Sequence, residues 1–224
     1  MPPDHGGCPD PAGYIEAPGQ DCPLCPRLVA YRHANRQANP DWFNAPVPSF
    51  GPAGAPLLIV GMAPGVKGAN RTGRPFTGDY AGMLLYQTLL KFGLAQGHYD
   101  ARPDDGLSLE RVRVVNAVRC VPPANLPQPL ETRTCNRYLA AELATPGIRT
   151  ILALGVLAHA ATLRALGLPA TRPKFKHGQQ IRLPDGRHLT DSYHVSRYNT
   201  NTGVLTTPMF ESVIQALLPT LEPP

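Results

Sequence analysis

The chain has 224 residues, 42% of them hydrophobic, with 21 lysines and arginines against 16 aspartates and glutamates for a formal charge of +5. That apolar content suffices for one ordinary domain with a sizeable core, and the small basic surplus permits an anionic partner without requiring one. No secretory hydrophobic region, no bilayer-spanning apolar stretch and no long basic tail is visible, so any nucleic-acid contact has to come from the folded surface.

The 27 prolines and 21 glycines gather at 1–20, 40–56 and 121–129 without a short period, marking an open leader over 1–21 and loops around a packed body. Residues 23–38 predict a helix, with Leu24, Leu28 and Tyr31 at helical spacing. The run Leu57-Leu58-Ile59-Val60, ending at Gly61, predicts a short buried strand. A glycine-rich stretch from Gly61 to Gly82 follows, in which Asp79 can cap a helix from Tyr80 to Phe92. Val112–Asn116 reads as a second strand leading into the loop of Cys120, and a helix is expected around Thr134–Leu143. A third strand over Thr150–Gly155 and a helix over 156–166 come next. The basic, Pro-containing segment 172–187 reads as a hairpin or surface loop, followed by a strand over His188–Tyr193 and a last helix over Pro208–Leu218. The packed domain is expected over 22–219, with a short tail at 220–224. Alternating strands and helices predict an α/β fold, a three-layer α/β/α sandwich on a central, mostly parallel, four-stranded sheet. Asn116 and His194 then fall just past strand carboxyl ends, where such sheets place ligands.

Four cysteines stand as Cys22-x2-Cys25 and Cys120-x14-Cys135, able to draw the N-terminal segment and the middle of the chain onto one centre. Thiolates are soft ligands that suit zinc or an iron–sulfur cluster, and spacing alone leaves both open. Disulfides are disfavoured in a chain that looks intracellular, and Cys8, in the Gly/Pro-rich leader, reads as an idle thiol. The loop Gly61-Met62-Ala63-Pro64-Gly65 and its continuation to Asp79 could cradle a phosphate or close around a flat ligand. It is neither a dinucleotide fingerprint nor a P-loop, since Lys67 is followed by Gly68. Phe76 could be core or a stacking face for a base. In His194-Val195-Ser196-Arg197-Tyr198-Asn199-Thr200, a histidine at a strand end backed by Ser196, Arg197 and Asn199 could stabilise a departing anion and grip phosphates.

Taken together, Gly61–Gly82, Val115-Asn116-Ala117-Val118-Arg119-Cys120, His194–Thr200 and Cys22-Pro23-Leu24-Cys25-Pro26-Arg27-Leu28 resemble the uracil-DNA glycosylase superfamily, in particular the type-B (family 5) enzymes of its iron–sulfur branch. The resemblance implies a [4Fe-4S] cluster on Cys22, Cys25, Cys120 and Cys135. It also implies a base pocket lined by Gly61, Ala63, Pro64 and Gly65, with Phe76 stacking on the extruded base and Asn116 bonding its edge. His194 would face the base oxygen that gains negative charge, and Arg197 and Asn199 would lie near the DNA backbone or the vacated space. Several sister families carry a polar residue near position 63 to orient water, whereas Ala63 stands here. Backbone carbonyls or another polar group must then hold the water; Asn70 and Asp79 are the side-chain candidates, Asn70 being preferred because capping would occupy the Asp79 carboxylate.

The resemblance further implies a monofunctional enzyme that releases uracil, and deaminated purines such as hypoxanthine and xanthine, from DNA. It would be monomeric, cytoplasmic and associated with the nucleoid through DNA, with Arg71, Arg74, Arg197 and segment 172–187 as clamp candidates. Two other classes compete: a non-catalytic nucleic-acid-binding protein with a four-cysteine zinc site, and an iron–sulfur oxidoreductase, for which no Rossmann fingerprint or second cluster set is visible.

Overall fold

A computed structural model describes residues 16–222. In chain order the elements are α1 (Pro26–Ala38), β1 (Leu57–Gly61), α2 (Ala69–Thr72), α3 (Tyr80–Lys91), β2 (Ala95–Gln96), β3 (Ser108–Leu109), β4 (Val112–Asn116), α4 (Pro129–Leu143), β5 (Thr150–Leu154), α5 (Val156–Ala165), β6 (Gln180–Arg182), β7 (His188–Ser192), α6 (Arg197–Asn201) and α7 (Thr207–Leu217). Single-turn 3₁₀ helices lie at Pro123–Asn125 and Leu218–Leu221. Among the described residues no helix is long and apolar enough to cross a membrane. Cys8 lies outside the described residues.

The central sheet has five strands in the order β4-β1-β5-β7-β6, not four. The first four are mutually parallel, and β6 pairs antiparallel with β7 at one edge. The extra strand is the near arm of the hairpin within segment 172–187. Its three residues, Gln180, Ile181 and Arg182, have both outer side chains exposed, so no apolar run announces them. A separate two-stranded ribbon joins β2 and β3.

Side chains alternate across the sheet, as the strand period requires. Leu57 and Ile59 of β1 join Val112, Val114, Leu152 and Leu154 against Leu85 and Leu89 of α3 and Phe210 and Ile214 of α7. Leu58 and Val60 join Val115, Ile151 and Ala153 against Leu139 of α4 and Ala158 and Ala161 of α5. Both faces of the sheet are therefore helix-covered, as continuous apolar strands demand. α4 begins at Pro129, five residues earlier than the expected Thr134. Pro129 supplies a pre-set first turn, and the Glu131 carboxylate accepts the Gln128 N–H at 2.7 Å in a capping box. At the opposite end of the strands from the pocket, the Leu221 carbonyl accepts from Arg111 at 3.2 Å and Arg149 at 2.9 Å.

Arg74, expected as a DNA clamp, is instead buried. Its guanidinium forms a bidentate pair with Asp105 at 2.8 and 2.7 Å and lies 5.1 Å from the centre of the Phe50 ring, with Tyr86 and Tyr99 on its other sides. The carboxylate that neutralises it lies 31 residues away. Breaking such a pair strands a charge in the interior. Asp105→Ala is expected to lower stability by about 3–5 kcal/mol in urea denaturation; a loss under about 1 kcal/mol would mean that Arg74 reaches water.

Candidate active site

The pocket is built on the register Gly61↔Asn116 at the carboxyl ends of β1 and β4. A Cβ on Gly61 would come within 2.5 Å of both Asn116 Oδ1 and Phe76 Cζ, so only glycine lets the amide and the ring close over the strand end. Phe76 has φ 51, a left-handed conformation unfavourable for an aromatic residue. Its neighbours hold it there: Tyr99 Oη donates to the Phe76 carbonyl at 3.1 Å and Tyr86 Oη to the Pro75 carbonyl at 2.6 Å. Both tyrosines pack on Arg74, so the buried ion pair supports the ring from behind. The ring centre lies 5.9 Å from that of His194, tilted by 33°.

Ala63, Pro64, Gly65, Phe76, Asp79, Asn116 and His194 line one small void, with Ala69 and Ala81 completing its wall. It opens into a wider cleft of about 1400 Å³ whose walls add Lys67, Tyr80, Asn125, Val156, Leu157, Ser196 and Arg197. Asp79 caps α3 through one oxygen, accepting from the Ala81 N–H at 3.2 Å. Its other oxygen, Oδ2, would lie 2.8 Å from a Cβ on Gly65. Capping therefore occupies one oxygen and leaves the carboxylate in the pocket wall. Asn70 is not brought there: its side chain is buried, with Nδ2 donating to Asn44 Oδ1 at 2.9 Å. Asn199 braces the wall without lining it, since its Nδ2 donates to the His194 carbonyl at 2.8 Å. Arg71 is exposed but spans its own loop, donating to the Lys67 carbonyl at 2.9 Å.

Burial sets the charges in the pocket. It pulls His194 down to about 4, leaving a neutral imidazole at pH 7. It pushes Asp79 above the usual carboxylate range, against the opposing N–H bonds from Ala81 and Gly82. Sequence reasoning missed the cleft residues Lys67, Tyr80 and Asn125. Only Asn125 leaves a trace, following Pro122-Pro123-Ala124 in a turn where it and Ala124 both have φ 55.

On the far side of the 117–120 loop, Cys22, Cys25, Cys120 and Cys135 all line one largely apolar cavity with Leu28, Val118 and Tyr138. Burial first, then the Cys135 sulfur, pushes Cys25 up to about 11 and Cys120 up to about 12, so these are thiols unless a cation offsets them. N–H groups point at the sulfurs: Arg119 N donates to Cys135 Sγ at 3.4 Å and Arg32 Nη1 to Cys120 Sγ at 3.9 Å. Arg32 Nε is buried without a partner among the described residues. Cationic and amide donors beside four thiols fit an anionic thiolate-ligated group. Among the described residues no three His, Cys, Asp or Glu side chains are grouped closely enough to hold a metal ion.

Residues 48–218 match the model of the uracil DNA glycosylase superfamily. The chain is 47% identical to the type-5 uracil-DNA glycosylase of Thermus thermophilus over 200 residues, 86% of this chain and 90% of that one. It is 41% identical to the type-5 enzyme of Mycobacterium tuberculosis over 203 residues, covering 87% and 76% of the two chains. The chain belongs to the type-5 uracil-DNA glycosylase family. A type-4 glycosylase from Thermotoga maritima is more distant, at 30% over 141 residues covering 62% of this chain and 64% of that one.

In this type-5 chain an NMR titration is expected to find the His194 ring taking its proton near pH 4; a midpoint near 6.5 would mean a solvated ring. The unfolded chain binds this proton below about pH 6.5 while the folded one resists until about 4. His194 therefore subtracts stability as pH falls through that window.

Proposed function

We propose that this chain is a monofunctional DNA glycosylase that hydrolyses the N-glycosidic bond of uracil, and of hypoxanthine and xanthine, in DNA. The observation that carries the reading is the meeting of Phe76, Asp79, Asn116 and His194 around one void, in a chain whose relatives are named as uracil-DNA glycosylases. Bases inside a duplex have to leave the helix to be reached. In this reading the chain acts as a monomer on chromosomal DNA in the cytoplasm, through the domain at 22–219.

Within the pocket, the Phe76 ring offers its face to the base, and the Asn116 amide, with both donor and acceptor, reads its edge. Breaking the bond leaves the electron pair on the base and positive charge on the sugar. A neutral His194 donates a hydrogen bond to the base oxygen as that charge develops; removing one such donor costs about 3 kcal/mol, or about 10²–10³-fold in rate. Water oxygen bonds to the sugar carbon, one of its protons is accepted, and an abasic site and free base result. Asp79, with one oxygen free of the cap, orients that water in place of a polar residue at Ala63. Desolvation, which raises its pKa, also makes it a better proton acceptor at neutral pH. Arg197 and Lys67, both exposed at the cleft wall, meet phosphates.

In this reading Cys22, Cys25, Cys120 and Cys135 hold a [4Fe-4S] cluster, which supplies a cross-link between the start of α1 and the loop after β4 rather than redox chemistry. Anaerobically prepared protein is expected to be brown and to yield about four irons per chain; one zinc and no sulfide would overturn the assignment.

Single-turnover release of uracil from a duplex tests the roles. Asp79→Asn keeps a good helix cap and removes a buried charge, so thermal stability is expected to hold or rise while base release falls at least ~100-fold. Asn70→Ala is expected to cost stability with a smaller rate effect, and the reverse ranking would return the water to Asn70. The wild-type rate is expected to rise with pH through the elevated Asp79 pKa and not to fall between pH 6 and 8, because His194 is already neutral there. A fall in rate over pH 6 to 8 would point instead to a charged imidazolium.

A further inference from the structure

One buried charged pair is not used by this chemistry. His159, on α5, is 2% exposed. Its Nδ1 lies 2.7 Å from Asp191 Oδ1 and its Nε2 lies 2.8 Å from the Pro173 carbonyl. A carbonyl only accepts, so Nε2 donates to Pro173, and the Asp191 carboxyl beside Nδ1 favours the doubly protonated ring. Burial opposes that charge, but the bonds to Asp191 and Pro173 outweigh it and raise the pKa.

This pair organises the segment from Thr171 to Gly178. Lys176 N and the Gln179 amide bond Asp191 Oδ2, and Gly178 N bonds the Asp191 carbonyl at 2.8 Å. The Phe175 ring centre is 5.9 Å from that of His159 and 6.0 Å from that of Tyr193. His177 lies flat on Tyr193, 4.7 Å away, and accepts the Tyr193 N–H at 3.1 Å. Pro173, Phe175 and His177 thus turn inward, while Arg172, Lys174 and Lys176 alternate outward and are exposed. Thr171 to Gly178 contains no acidic residue, and among the described residues none of its three exposed cations joins a salt bridge. Tyr193 immediately precedes His194, and α5 begins with Val156 and Leu157 in the cleft wall, so the segment packs on two elements that continue into the site.

We propose that residues 172–177 form an arm that grips the phosphates of DNA beside the cleft, and that His159, touching no DNA itself, is the positioning residue that sets the arm. The inference rests on the glycosylase reading for its partner, and its test runs on undamaged duplex so that the two fail separately.

Affinity for an undamaged duplex would be measured by fluorescence anisotropy from 50 to 200 mM salt, and uracil release at saturating enzyme in parallel. Each phosphate contact contributes about 0.9 to the slope of log affinity against log salt. R172Q/K174Q/K176Q is expected to reduce the slope by about 2 to 3 and affinity by roughly 10-fold or more, with unchanged melting temperature and unchanged single-turnover release. H159Q, which removes the charge, is expected to reproduce much of that change. Phe175→Ala loosens the arm from outside the buried pair, and is expected to do the same even where H159Q fails to fold. A triple variant with the wild-type slope would overturn the arm. H159Q and Phe175→Ala with wild-type slopes would overturn the positioning role. Wild-type protein that bound DNA with the expected slope yet released no base would strike the glycosylase reading alone.

Discussion

The parallel register of β1 and β4 is the constraint on which the site depends. Because Gly61 lies beside Asn116, one missing Cβ lets an amide and an aromatic ring converge over the same strand end. The convergence is expensive, since Phe76 must adopt a left-handed backbone, a conformation that costs on the order of 1–3 kcal/mol and persists only when its surroundings fix it. Here they do, through two tyrosine hydroxyls, a buried arginine and a carboxylate behind it.

Desolvation then decides which protonation states the pocket can use. The same burial that keeps His194 uncharged makes Asp79 a stronger base than an exposed aspartate. A histidine that would be partly charged in water is held neutral, and the Asp79 carboxyl holds its proton more tightly than it would in water. In the proposed mechanism no polar side chain is required at position 63, because the carboxylate enters from the cap of α3 and not from the strand-end loop.

Much of the scaffold was legible because buried strands and helix caps are local signals. The second strand of the main sheet was read to the residue, since its apolar run stops at Asn116, and Asp79 was recognised as a cap. What escaped depended on partners far along the chain. Nothing near Arg74 says that Asp105 will bury it, and nothing near Asn70 says that Asn44 will take its amide. Capping engages one of the two Asp79 oxygens, so it does not by itself decide between Asn70 and Asp79. β6 escaped because an edge strand of three residues with exposed ends carries no hydrophobic signature. The four cysteines were legible as a set; that they surround one cavity with arginine and amide donors aimed at them is a tertiary fact.

The Leu221 carbonyl, gripped by Arg111 and Arg149, sits where β4 and β5 begin, whereas the pocket sits where they end. Five residues of strand, roughly 16 Å, separate the two rims. Cargo joined beyond this clasp would emerge from the opposite pole to the cleft, which makes that end the natural place to attach a label, a surface tether or a second module without crowding the substrate.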